Sequence, residues 1–459
     1  MKLNNTIAWG AIITGLVLFL LPILSTGYHP VFRTAGIVTI TLGLFVTAAL
    51  PEYLSALIFF FLCLICSVAP PDVVFSGFLS GAVWLVLGGL ILGIAIEESG
   101  LAMRIARNLE KLFGGNYLSI ITGTVVMMTL LAFLMPSAVG RVTIMLPVIL
   151  ALADRLGFIK GRNGRMGLVL AVGVGTLIPT FSILPSNVPN VVLAGAAEAI
   201  HGVQFTYTDW FVLHFPVIGF ISMCVLPLMI RYIFPDKISP QISEPNTQSP
   251  LTFVEKKLIC ILIVTLTLWG TDNFHGFSPA WVSLGAGIFC ALPFTGLLPA
   301  VEIIKKINFG PIIFLAGVIG MGSVVTQSGL GEVLANWLII TFDVTPGDDF
   351  NNFFSVVGIG FALQLVTTLP GQPAIMTAVA ESLSVSTGWS LVTVLMAQVS
   401  AWALVIFPYQ APPLVATKAI SGLPISAFLR LLLPFVVFGW LVSLPLQYFW
   451  WVFLGYFPK

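Results

Sequence analysis

Apolar runs long enough to cross about 30 Å of hydrocarbon as helices recur along the whole chain. They fall at residues 7–24, 33–50, 53–69, 79–96, 117–135, 166–183, 210–234, 258–271, 279–298, 309–327, 350–368, 389–407 and 428–454. Two kinds of interruption break the pattern. Pro136, Ser137, Ala138, Gly140 and Arg141 separate 117–135 from an arm, 139–153, that is short for a span. This predicts a re-entrant helical hairpin over about 117–154 with its tip at 136–140. Leu369, Pro370, Gly371, Gln372 and Pro373 sit in the same way between 350–368 and 374–386, predicting a second hairpin over about 350–386. The other interruptions, 184–190 and 408–413, carry paired prolines and amides inside spans, the profile of discontinuous helices over about 166–200 and 389–420. Charged residues interleave with Leu and Ile over 97–115, which suits a helix lying in the interface, and 328–340 repeats that character.

The order of these features repeats. Glu98-Ser-Gly-Leu101 matches Gln327-Ser-Gly-Leu330 at a separation of 229, Pro136 matches Pro370 at 234, and Pro189 matches Pro413 at 224. The predicted fold is an all-α polytopic membrane protein of about 11 transmembrane helices plus two re-entrant hairpins in two inverted repeats. The expected domains are an N-terminal helix (1–30), a first repeat (31–234), a cytoplasmic linker rich in Pro, Ser, Gln and Asn (235–252) and a second repeat (253–459). Each repeat holds an odd number of spans, so the two are inverted relative to one another.

Composition agrees: 58% of residues are hydrophobic and 8% charged, against about a quarter charged in soluble domains. With the N-terminus cytoplasmic and the C-terminus outside, 16 of the 19 Lys and Arg fall on the inner side, leaving only Arg33, Lys459 and the intramembrane Arg141. The chain is therefore expected in a plasma or inner membrane. The first run lacks a small-residue cleavage site and reads as a retained span. The net charge of +1 says nothing about partners, and no nucleic-acid partner is expected. Cys63 and Cys66 form a CxxC without Gly, Pro or a second pair nearby, which reads as ordinary helix packing.

Backbone broken at membrane depth must be buried in protein or line a polar cavity, and a charge there is a functional-site candidate. Arg141 heads the list; the alternatives are that it snorkels to an interface or pairs with a carboxylate for structure. Ser137, Gly140, Asn187, Pro189, Asn190, Gly371, Gln372 and Gln410 complete the candidate substrate-binding set. Gln372, Gln410 and Asn187 have a second reading, as partners for orphan backbone groups at helix breaks. Ser137 reads equally as an N-cap for the returning arm. Helix N-termini gathered at the midplane favour anions. Glu198 and Glu381 are the nearest carboxylates, either as proton carriers or as solvated helix ends. No HExxH, metal-spaced Cys/His cluster, GxSxG or phosphate loop occurs, and no cofactor is expected.

On these residues the chain resembles the divalent anion:sodium symporter family of the ion transporter superfamily, over residues 79–420. That family carries Ser-Asn-Thr at each hairpin tip and Thr-Pro-Pro-Asn at each helix break. Aligned through Leu146 and Pro147, Ser137 falls on the motif Ser, Ala138 on the Asn and Val139 on the Thr. Gly371, Gln372 and Pro373 stand in the second tip. Pro189 and Asn190 keep the Pro-Asn of the first break with Asn187 at the Thr position, while Pro412 and Pro413 keep the double Pro and Leu414 replaces the Asn. Both tip motifs are degenerate. The resemblance implies alternating access, a small anionic carboxylate-type substrate, a homodimer in membrane lipid, and Na+ or H+ as coupling ion, with a sodium candidate near Ser137 and Asn190. The altered tips, and the charge on Arg141, argue instead that Arg141 fills the role of one cation. Sodium-independent anion exchange, or proton-coupled carriage of another polar solute, is the alternative mode. An intramembrane enzyme using Arg141 with Ser137 lacks a base near either tip, and a channel has no need of two inverted hairpins.

Overall fold

A computed structural model describes residues 2–24, 30–47, 49–101, 104, 115–135, 137–238 and 250–458. Pro136, most of the amphipathic stretch 97–115 and most of the linker 235–252 lie outside the described residues. All regular secondary structure among the described residues is helical. Among the described residues eight helices are long and apolar enough to cross a membrane, or nine if the bent pair Ala380–Thr387 and Leu391–Trp402 counts as one span. Thr6–Leu21, Glu52–Ile65, Pro279–Ala291 and Leu330–Thr341 are shorter apolar helices. Burial separates inner helices from outer ones: Asn163–Ser182 is 89% buried, whereas Ile425–Leu454 is 39% buried and turns Leu441, Phe449 and Phe453 outward. The chain is thus an integral membrane protein whose apolar outer faces suit lipid.

Both hairpins are present. The first consists of Tyr117–Leu134 and Ala138–Arg155. Its feet lie together, because the ring of Tyr117 packs edge-on against Phe158 with centroids 5.4 Å apart. The second consists of Asp349–Thr367 and an exit arm in two pieces, Gln372–Ala378 and Ala380–Thr387. Trp389 Nε1 donates to Asp349 Oδ1 at 2.7 Å, closing its feet. The first broken helix runs Asn163–Gly175 and resumes as Val188–His201; the second runs Leu391–Trp402 and resumes as Pro412–Ser421. The first break opens after Gly175, earlier than the apolar run to 183 suggests, because 3-10 turns at Pro179–Ser182 and Leu184–Ser186 are themselves apolar and buried.

The sequence repeat has a structural counterpart. Gly81–Glu98 and Gly310–Gln327 end in the same cap: Ser99 Oγ donates to Ile96 O and Ser328 Oγ to Val325 O, followed by Gly100 and Gly329 at φ +73° and +77°. Gly88 and Gly317, 229 residues apart, are close-approach points. A Cβ on Gly88 would meet the Ser283 backbone at 2.4 Å, and one on Gly317 would meet Ala56 Cβ at 2.6 Å. Packing is exchanged accordingly, with Gly81–Glu98 against Pro279–Ala291 and Gly310–Gln327 against Glu52–Ile65. The hairpins exchange partners too: Ala138–Arg155 lies on Pro412–Ser421, and Gln372–Ala378 on Val188–His201.

The segments expected on the inner side are tied to one another. Arg104 pairs with Glu255 through Nε at 2.6 Å and Nη2 at 2.9 Å, and Lys306 pairs with Glu98 at 2.6 Å. Arg162 pairs with Asp236, and Arg430 donates to Ile233 O at 3.1 Å.

Candidate functional site

Arg141 lies in the first turn of the returning arm of hairpin one and is fully buried. Its guanidinium points at the first break. Nε donates to Thr176 Oγ1 at 2.8 Å, Nη2 to Thr176 O at 3.0 Å, and Nη1 to Ser186 O at 3.1 Å and to Met135 O at the hairpin tip. Longer contacts of 3.5 Å reach Thr180 Oγ1 and Asn187 Oδ1. Thr176 caps the C-terminus of Asn163–Gly175, where unpaired carbonyls carry the negative end of the helix dipole. A planar fork of five donors suits such a cluster of oxygens better than a point charge does. No carboxylate is among its partners, so backbone and hydroxyl oxygens stabilise the charge.

The amides of the first break complete this junction. Asn187 Nδ2 donates to Thr180 Oγ1 at 2.8 Å; Asn190 Nδ2 donates to Phe181 O at 3.0 Å and Ile183 O at 2.8 Å. Asn190 Oδ1 is buried without a partner. Ser137 is the N-cap of Ala138–Arg155, its Oγ accepting from Gly140 N at 3.0 Å.

The second half closes its junction without a charge. Leu369 N donates to Gln410 O at 2.9 Å, and Gln410 Oε1 accepts from Ile406 N at 2.9 Å and Phe407 N at 2.7 Å. Gln364, in the entering arm, donates Nε2 to Ala401 O at 3.0 Å and Leu404 O at 3.1 Å, the carbonyls at the end of Leu391–Trp402. Trp402 Nε1 donates to Gln372 Oε1 at 2.6 Å. Thr368 at the tip has φ +76°, a strained backbone for a β-branched residue.

Between the two junctions lies a cavity of about 320 Å³. Ser137, Ala138, Val139, Asn187, Val188 and Pro189 line it from the first half, and Leu369, Pro370, Ala411, Pro412 and Pro413 from the second. Beside those of Glu52–Ile65 and Gly310–Gln327, three helix N-termini from the junctions reach it, those of Ala138–Arg155, Val188–His201 and Pro412–Ser421. Prolines in the first turns of the last two remove donors, whereas Ala138 and Val139 keep first-turn N–H groups that have no acceptor within their helix. Gly140 lines an adjoining pocket of about 480 Å³ that shares Ser137, Gly89 and Leu90 with the cavity.

Of the residues picked from sequence, Ser137, Asn187 and Pro189 face the cavity, while Arg141, Asn190, Gly371, Gln372 and Gln410 are buried and outside its lining. Glu198 accepts from Gly81 N at 2.7 Å and Gln204 Nε2 at 3.0 Å, holding a helix start, and Glu381 is exposed. Thr176, Thr180, Ser186, Gln364 and Trp402 were missed, although a lone Gln or Thr inside an apolar run is a readable signal. Among the described residues no group of three His, Cys, Asp or Glu could hold a metal.

Residues 42–407 match the citrate transporter family. A membrane protein of Cupriavidus necator is 22% identical over 83% of this chain and 76% of its own length. The sodium-dependent dicarboxylate transporter SdcS of Staphylococcus saprophyticus is 23% identical over 66% of this chain and 63% of its own length. SdcS of Staphylococcus aureus (strain USA300) is 24% identical, covering 73% and 71% respectively. A family match over most of its length places the chain in the citrate transporter family, as a secondary transporter of carboxylate-type solutes and not an enzyme.

Proposed function

We propose that the chain moves a small carboxylate by alternating access between two inverted halves, binding it in the cavity between the hairpin tips and helix breaks. The solute's carboxylate accepts from the first-turn N–H groups of Ala138 and Val139 and from Ser137 and Asn187, aided by the positive helix ends. Arg141 acts from behind the wall, as a positioning residue and a fixed positive charge. The exchanged packing of the two halves and their shared caps support the inverted repeat.

One observation carries the reading of coupling: the oxygens of Met135, Thr176, Ser186 and Asn187 already accept from Arg141. The relatives named SdcS are called sodium-dependent. A sodium ion at the first junction would need these hard oxygens and would sit beside a guanidinium; two like charges about 4 Å apart repel by about 4 kcal/mol at an effective dielectric of about 20. At the second junction the amide nitrogens of Gln364 and Gln410 occupy backbone oxygens, while Gln364 Oε1 is buried without a partner among the described residues. In the first break Asn190 Oδ1 lacks a partner among the described residues, and one such oxygen at each junction is too few for a sodium site by itself. Transport is therefore read as anion exchange or proton-coupled carriage. A homodimer with the N-terminus cytoplasmic and the C-terminus outside, in a plasma or inner membrane, completes the proposal. Saturable counterflow of labelled succinate or citrate in proteoliposomes tests the solute class. Absence of counterflow with every di- and tricarboxylate would overturn it, and cross-linking in lipid that yields only monomer would overturn the dimer.

A further inference from the structure

The cavity holds one carboxylate that neither junction uses. Glu52 opens the helix Glu52–Ile65 and lines the cavity opposite the hairpin tips, beside Asn308, Pro311 and Phe314. It is exposed to the cavity, and it forms no hydrogen bond or ion pair with any described residue. The walls near it are mostly apolar, among them Val86, Leu90 and Phe314. Few charged side chains offset it, besides the positive N-terminal ends of its own helix and of Gly310–Gln327. The helix packed along it, Gly310–Gln327, carries no ionisable residue. Arg33 of Pro30–Thr47 and Asp72 of Pro71–Val74 are 19 and 20 residues from Glu52 along the chain. Lys305 and Lys306 precede Asn308, and Lys306 is paired with Glu98. Lys418 lies beyond the first turn of Pro412–Ser421, Glu97 lines the adjoining pocket, Tyr53 follows Glu52 on its own helix, and the guanidinium of Arg141 is spent on the first break.

An anionic solute entering this cavity meets a second anion in a poorly polar enclosure. A nearby like charge raises a carboxyl group's affinity for a proton, so solute and proton bind together. We propose that Glu52 is the proton-bearing residue of the transport site: it takes up a proton as the carboxylate solute binds and gives it up on release. The inference rests on the cavity being the solute site. It makes Glu52, and neither Glu198 nor Glu381, the carboxylate that links transport to pH.

The test is succinate binding to the full-length protein between about pH 6.5 and about pH 8.5, above the usual carboxyl range. Wild type is expected to lose affinity as pH rises, approaching about tenfold per pH unit where Glu52 is ionised, and to take up a proton per solute as read by a pH dye in weakly buffered solution. Glu52→Gln is expected to bind with no such slope and no proton uptake, and Glu52→Asp to restore both. A wild type that binds without proton uptake overturns the proposal without any variant, as does Glu52→Gln that keeps the wild-type slope. Failure of wild type to bind any carboxylate, or unchanged binding by both Ser137→Ala and Asn187→Ala, overturns the cavity reading instead.

Discussion

Leu369, at the tip of the second hairpin, donates its backbone N–H directly to the carbonyl of Gln410 in the second break, at 2.9 Å. Met135, 234 residues earlier, reaches its own break through the guanidinium of Arg141. The two halves thus close the same junction by different means, one with backbone and amides, the other with a tethered charge. A charge anchored to the returning arm moves with that hairpin and cannot exchange with solvent.

Arg141→Ala leaves the carbonyls of Met135 and Ser186 without their side-chain donor, while Thr176 O keeps the donation from Thr180 Oγ1 at 2.7 Å. Each buried acceptor so orphaned costs about 1–3 kcal/mol. The expected result is a lower unfolding midpoint in detergent and loss of counterflow. Arg141→Lys keeps the charge without the planar fork, so it should fold but turn over at least about tenfold more slowly. Counterflow at the wild-type rate by Arg141→Ala would remove Arg141 from the mechanism.

Gln364→Leu takes the side-chain donor from Leu404 O and from Ala401 O in the second break, of which Ala401 O keeps Leu404 N at 3.0 Å. A loss of about 1–3 kcal/mol in stability is expected, together with slower counterflow and an unchanged solute affinity, because Gln364 does not line the cavity. Equilibrium binding measured beside counterflow separates the two effects; weakened binding with normal turnover would contradict this assignment.

Gly88→Ala and Gly317→Ala each push a methyl group into a facing helix, at 2.4 Å from Ser283 backbone and 2.6 Å from Ala56 Cβ. Overpacking of this kind costs about 1–3 kcal/mol. Both variants should melt earlier by similar amounts, since the proposed repeat makes these positions equivalent. A silent Gly88→Ala would mean that the helices separate freely there.

Stability should also depend on acid through Glu255. Arg104 holds this carboxyl below the usual carboxylate range by a two-point hydrogen bond, at the start of Phe253–Gly270 and ahead of its apolar run. A depressed folded-state pKa gives stability that is present above the unfolded value of about 4.3 and is lost as pH falls through the folded one. The difference in unfolding midpoint between wild type and Glu255→Gln should therefore be flat near neutrality and shrink on acidification. A difference that grows in acid would reverse the sign.

Much of this was legible in the residues. Pro, Gly and amides inside apolar runs gave both hairpins and both breaks, because hydrocarbon enforces helical continuity wherever protein does not replace it. The matching Ser-Gly-Leu landmarks became matching helix caps. Azimuth was not legible: a run gives the depth of Arg141, but whether it faces the cavity or the break depends on the rotation of Ala138–Arg155 against Asn163–Gly175. Gln364 is readable as a lone amide in an apolar run, but its role is not, because the break whose carbonyls it serves lies elsewhere along the chain. Glu52 lies at a helix start that reads as interface, and only tertiary packing brings it to the cavity.

Uptake of labelled succinate into proteoliposomes, with sodium outside replaced by choline and a pH gradient varied separately, probes the fixed-charge role of Arg141. Uptake is expected to be unchanged by the replacement and to respond to internal carboxylate or to the pH gradient. Steep, cooperative dependence on sodium would contradict it, and would mean that a mobile cation displaces Arg141 from the oxygens of Met135, Thr176 and Ser186.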